Sequence, residues 1–358
     1  METLATESSS CTQNTSWSCE KASSNRGEPW IPDLRNARRV LFLLLLTAVT
    51  ADEGRGQSSA RRAAPLAVPE EARAGLERLY QGDTRGAAAR FRTLQERQPD
   101  HPLGYLLEAN ALWWERWCGS LEIKPAGFVD AALGQESTLD APYWTLVAAA
   151  QQKADSYRKQ NAEVAEAHLY LGLAYAMEGR LRALRRENFA AASAGKKMRA
   201  ALQRALELDP PLDDALFGLG LYNYYVATLS PLLKLVRWLL FLPGGDKQTG
   251  LEQLERAAER GVLVGVEARF WLAKNLRNYD QDYPRARTEF ERLSQRYPQN
   301  QIFALMLGGV EAKRGDSTAA MRAYSRAREL AGGSSACDRR LAELATRSLE
   351  ALSPAPTR

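Results

Sequence analysis

From Val68 onward, the small and apolar positions of the chain recur on a period of 34 residues. Gly75, Gly82, Ala87, Phe91 and Pro99 stand at positions 8, 15, 20, 24 and 32 of a unit that begins at Val68. A unit from Glu267 places Ala286, Phe290 and Pro298 at 20, 24 and 32. Another, from Gln301, places Leu307, Gly308, Gly315, Ala320, Tyr324 and Ala327 at 7, 8, 15, 20, 24 and 27. Within each half of a unit the apolar residues return every three to four positions, the spacing of one helix face. Each unit therefore predicts two helices, A and B, which cross closely at the small residues of 8 and 20 and fill the remaining gap with large ones. Such a pair leaves a face uncovered until a neighbour stacks on it, so the pattern predicts an array.

The middle units keep the pattern but exceed its length. The second begins at Pro102 with YLLEANALWW as helix A, and the third begins only at Ala165, an excess of 29 residues over 34. Most of that excess is CGSLEIKPAGFVDAALGQESTLD, read as a Gly-, Pro- and Ser-containing insert before a helix B near 141–161. The third unit reaches its closing Pro210 fourteen residues late. The fourth, from Asp213, holds LFGLGLYNYY and GLEQLERAAERG, with SPLLKLVRWLLFLPGGD between them. A polar-faced helix from Cys337 to Leu352 predicts a cap for the end of the array.

HLYLGLAY at 168–175, with the A-x3-F and Pro positions above, resembles the tetratricopeptide repeat, whose pattern is W-x2-L-G-x2-Y, then A-x3-F, then P. His168 stands where the Trp would be. The resemblance implies an all-α fold: an α-solenoid of about six helix pairs with inserts and a C-terminal capping helix. The fourth unit, with an aromatic helix A, a Pro, an apolar helix and then GGDKQTGL, is also similar to a eukaryotic tetratricopeptide-repeat family, a resemblance that covers 165–315. That family includes the yeast inclusion-body clearance protein and tetratricopeptide repeat protein 39. This similarity implies an adaptor-like role and carries over no catalytic residue.

Charge and targeting add a compartment. Arg35, Arg38 and Arg39 flank ten apolar residues at 40–49, followed by Val49-Thr50-Ala51, the layout of a secretory signal cleaved after Ala51. Ten helical residues reach about 15 Å, half of a bilayer core. The expected organisation is a leader or mis-assigned start at 1–34, a signal peptide at 35–51, a flexible linker at 52–67, the solenoid at 68–352 and a disordered tail at 353–358. The product would be periplasmic or extracellular. Cys11 and Cys19 would leave with the leader, and Cys118 and Cys337, lacking any CxxC spacing, read as structural and unpaired. A net charge of +5 is too diffuse to predict nucleic-acid binding.

Candidate chemistry is sparse. His168 reads as a packed repeat position and His101 as a solvated turn residue. Asp280 and Asp282, in NYDQDYP, read as a helix connector rather than a calcium loop. No catalytic residue, metal ligand or cofactor is predicted. The expected function is that of an exported, non-catalytic scaffold holding a protein or peptide partner; the alternatives are a membrane-peripheral adaptor docking through the apolar insert helix and, more remotely, an enzyme with a site in the inserts. Helix A positions 2, 5, 9 and 12 predict its groove: Leu106, Asn110 and Trp113; Leu169 and Leu173; Phe217, Leu221 and Tyr224; Trp271, Asn275 and Asn278. An apolar peptide or one of the chain's own inserts is the expected occupant. The insert helix at 231–242, with Leu233, Lys234, Arg237, Trp238 and Phe241, suits burial in the groove or docking on a membrane surface.

Overall fold

The computed structural model describes residues 66–228, 243–333 and 335–352. The leader, the signal-like stretch, 52–65 of the linker, the tail and the insert carrying Leu233, Lys234, Arg237, Trp238 and Phe241 lie outside the described residues. Thirteen helices run through the described chain. They are α1 (Glu70–Tyr80), α2 (Thr84–Arg97), α3 (Leu103–Gly119), α4 (Asp140–Gln160), α5 (Ala165–Leu184), α6 (Asn188–Leu208), α7 (Asp214–Ala227), α8 (Lys247–Arg260), α9 (Gly265–Asn275), α10 (Tyr283–Arg296), α11 (Gln301–Lys313), α12 (Ser317–Leu330) and α13 (Ala336–Leu352). α9 continues into a π-helical turn, Leu276–Asp280. Neighbouring helices pack in sequence order, each A helix against its own B helix, in an all-α solenoid.

The glycines at position 8 explain the close crossings. A Cβ on Gly75 would lie 2.3 Å from Phe91, on Gly172 2.4 Å from Leu202, on Gly220 2.9 Å from Leu254 and on Gly308 2.6 Å from Tyr324. Any side chain at these four positions would push helix A off helix B. The turn between the two helices is equally repetitive. An Asp caps α2, α8, α10 and α12, its carboxylate accepting from the backbone N–H three residues on: Asp83, Asp246, Asp282 and Asp316. Before three of these caps the backbone is left-handed, at Gly82, Gln281 and Gly315, as it is at Arg186 before α6.

Two inserts take forms that their composition does not announce. The late Pro210 reflects longer helices, since α5 and α6 run 20 and 21 residues. The segment after α3 is a hairpin, with β1 (Leu121–Ile123) antiparallel to β2 (Val129–Ala131) and Glu122 opposite Asp130. Gly127, at φ 77°, turns it.

The array closes on itself. Asn300, between the fifth and sixth pairs, donates to the Tyr80 carbonyl of α1 at 2.8 Å. α13 packs on α12 as a cap would, and also returns to α3 and β1. There Cys118 and Cys337, 219 residues apart in sequence, form a disulfide. This corrects the reading of two unpaired thiols: the partner of Cys118 comes within reach only after six helix pairs have curved back. His101 is likewise not a solvated turn residue. Its ring lies edge-on to Tyr157 and Tyr170, at 5.0 and 5.1 Å between centroids, and burial lowers its pKa.

Candidate functional site

The inner face of the array is built by the A helices, which carry its largest side chains. Trp114 of α3 meets Tyr80 of α1, Phe270 of α9 and Phe303 of α11 with ring centroids at 6.4, 4.9 and 6.3 Å. Trp117, one turn on, also stands edge-on to Phe270. Rings from four A helices thus meet across the axis. Beside them Arg180 of α5 pairs with Glu267 of α9 at 2.8 Å, their side chains only 10% and 3% exposed. The guanidinium also donates to Asn110 Oδ1 at 3.1 Å and lies near the rings of Trp113 and Phe217.

The hairpin occupies the next part of this face. Lys274, Arg277 and Asn278, at i, i+3 and i+4 of α9 and its π turn, share one side and grip β2. Arg277 donates to the Val129 carbonyl at 2.6 Å and to Asn278 Oδ1 at 2.7 Å, and it lies 5.7 Å from the rings of both Phe128 and Phe290. Asn278 donates to Asp130 at 2.8 Å, and Lys274 pairs with the same carboxylate at 3.0 Å. Burial pushes the Arg277 pKa down to about 10, against the pull of Asp130. Lys313 and Arg340 donate to the carbonyls of Ala126 and Leu121, so α11 and α13 hold the hairpin from its other side.

Burial alone would raise the pKa of Asp130, but the charge and hydrogen bond of Lys274 outweigh it and hold the carboxyl below its usual value. A depressed folded value stabilises the fold above the unfolded carboxylate pKa near 3.9, and that contribution is lost as pH falls through the folded value. Asp130→Asn should therefore cost about 2 kcal/mol at neutral pH. In urea unfolding, the gap between variant and wild type should narrow at pH 3. A gap of constant size would show that this carboxylate is not what ties the hairpin to α9.

Of the predicted groove residues, Leu106, Asn110, Trp113, Leu169, Leu173, Phe217, Tyr224 and Asn275 are buried among the chain's own side chains. Leu221, Trp271 and Asn278 remain half-buried. Packing within the array and against the hairpin thus covers most of these positions. Around Trp271 the face is still reachable, with Tyr225 half-buried and Tyr279 53% exposed. Two buried donors there have no partner among the described residues: Trp271 Nε1 and Asn275 Nδ2, one helical turn apart on α9. Lys274 lies 5.0 Å from the Trp271 ring and 5.8 Å from that of Tyr279. Asp280 accepts from Tyr224 and pairs with Lys247, and Asp282 caps α10. His168 bonds the Ala162 carbonyl at 2.8 Å.

Residues that spacing missed are Phe128 to Asp130 of the hairpin and the Lys274 and Arg277 that grip it beside the predicted Asn278. The available signal was LEI and FVDA on either side of KPAG, two short strand-like runs around a turn.

The geometry defines a class: an all-α solenoid of stacked helix pairs whose ends are brought together. A family model for the tetratricopeptide repeat matches residues 72–115 and 279–335. These two stretches match the tetratricopeptide repeat, and the stacked pairs with their position-8 glycines support the same superfamily for the array between them. No curated protein matches the chain. Among solved structures it is similar to a thermophilic tetratricopeptide-repeat protein of Thermus thermophilus, at 13% identity over 68% of this chain and 97% of that one, with a TM-score of 0.40. It is also similar to yeast Tom70, at 11% identity over 79% and 88% of the two chains, with a TM-score of 0.26. A human IFIT1 dimer with PPP-AAAA aligns at 14% identity over 70% of each chain, with a TM-score of 0.20. At such identities and scores nothing those proteins bind is carried to this chain.

Proposed function

We propose that the protein is an exported, non-catalytic scaffold that holds a protein partner, and that an extended segment of this partner enters the reachable part of the inner face beside α9. The observation that carries this reading is the reachable aromatic patch beside α9, where Tyr279 is 53% exposed and Trp271 and Tyr225 are half-buried. An extended chain laid there can seat alternate side chains against these rings. Leu221, Tyr225 and Tyr279 give its side chains an apolar wall. Two observations support export. Residues 35–51 have the layout of a secretory signal, and a disulfide such as Cys118–Cys337 persists in oxidising compartments.

The test is capture of partners from a native envelope extract by the full chain, compared with Tyr279→Ala and Trp271→Ala. Tyr279 is exposed, so weaker capture by its variant at an unchanged melting temperature is expected. Capture equal to wild type in both variants would place binding elsewhere on the array.

A further inference from the structure

Closure of the array creates a second concavity, which no single repeat could form. α1 of the first pair stands opposite the end of α8, the turn into α9 and the C-terminal half of α10, and the space between them is a groove of about 570 Å³. Its floor is apolar: Leu76, Leu263, Leu293 and the Tyr297 ring are buried there, and Val262 stands at its edge 49% exposed. Its rim is cationic. Arg73, Arg269, Arg292 and Arg296 line it against two carboxylates, Glu77 and Glu259.

The guanidinium groups are only partly engaged. Arg73 pairs with Glu70 at 3.1 Å, Arg292 with Glu289 at 2.9 Å, and Arg296 donates its Nε to the Tyr297 hydroxyl at 2.9 Å. Each guanidinium has five N–H donors, so several remain for a partner. Arg73, Arg292 and Arg296 are exposed, and only Arg269, held by Glu289 and the Ala258 carbonyl, is set deeper.

An apolar floor of this size within a cationic rim fits one kind of occupant. A small anion would leave the floor wet, and a nucleic acid would meet Glu77 and Glu259 without stacking partners other than Tyr297. We propose that this groove docks an amphipathic segment of a partner protein, its Leu- or Phe-like side chains on the floor and its Asp or Glu side chains on the arginines. The assignment rests on the scaffold reading above and adds a second contact, at the N-terminal end of α9, whereas the hairpin is held at its C-terminal end.

The test uses two fluorescein-labelled helical peptides of about fourteen residues with the same leucine stripe, flanked by Glu in one and by Lys in the other. Anisotropy against the full chain should show binding of the Glu peptide and none of the Lys peptide, with affinity falling as salt rises. Arg73→Glu with Arg296→Glu should weaken the Glu peptide by about tenfold or more and admit the Lys peptide. Val262→Glu should weaken the Glu peptide as well. These three positions are exposed, so melting temperatures should stay near wild type, and Val262→Ser serves as a milder variant of the floor. Equal binding of both peptides, no binding of either, or a Glu peptide indifferent to the charge reversal would each overturn the assignment. If the envelope capture succeeds while the Glu peptide fails, the scaffold reading stands and the groove assignment falls.

Discussion

Cys118→Ser, Cys337→Ser or both should cost about 2–5 kcal/mol of stability, and the melting temperature should fall by roughly ten degrees. The bridge joins positions 219 residues apart, and in the chain-entropy picture a cross-link closing so long a loop constrains the unfolded ensemble by about 5 kcal/mol. The larger consequence concerns cooperativity. Repeats in an open solenoid touch only their neighbours, so its stability is a sum of nearest-neighbour steps and its ends fray. Here the clasp ties α3 to α13, and the hairpin that follows Cys118 is held by Arg340, Arg277 and Lys313 from three helices of the last units. The intact protein should therefore unfold in one urea transition. The serine variants, or wild type under reductant, should show two, the earlier accompanied by fast amide exchange in α13 and the hairpin. Reductant should add nothing to the double variant. A single unshifted transition would mean that packing alone closes the ring.

How much of this was legible depends on the range over which each feature is determined. The helix pairs follow from contacts within 34 residues: Gly75 meets Phe91, and Gly308 meets Tyr324, because position 8 faces position 24 in the units of regular length. Those positions can be read without knowing where any other repeat lies. The disulfide, the burial of Asn110 and Trp113 and the grip of Arg277 on Val129 depend on the accumulated curvature of six pairs. A small rotation per repeat, invisible in any one unit, decides whether Cys118 meets Cys337 or faces solvent. Side-chain volume was the overlooked clue. Trp113, Trp114 and Trp117 lie within one turn and a half of α3, too much aromatic surface for one pair to cover, and Phe270, Trp271 and Phe303 from distant units cover it.

The Arg180–Glu267 pair provides the sharpest measure of whether the axis is closed. It joins the third unit to the fifth, and the guanidinium is enclosed by Trp113, Phe217 and Asn110. Glu267→Ala would leave a buried cation without its counter-charge, a loss of about 3–5 kcal/mol. Replacing both partners, Arg180→Met with Glu267→Leu, removes the charge together with its desolvation penalty. This double variant should recover most of the stability and can equal or exceed wild type. The double-mutant cycle, read from urea unfolding, should then give a coupling of several kcal/mol. The same two residues across a water-filled channel would be screened and couple by about 0.2–1 kcal/mol. A coupling that small would mean an open axis, and the eight buried groove positions would again be available to a partner. A large one confines binding to the rim beside Trp271 and to the arginine-lined groove, because a peptide could enter the axis only by separating this pair.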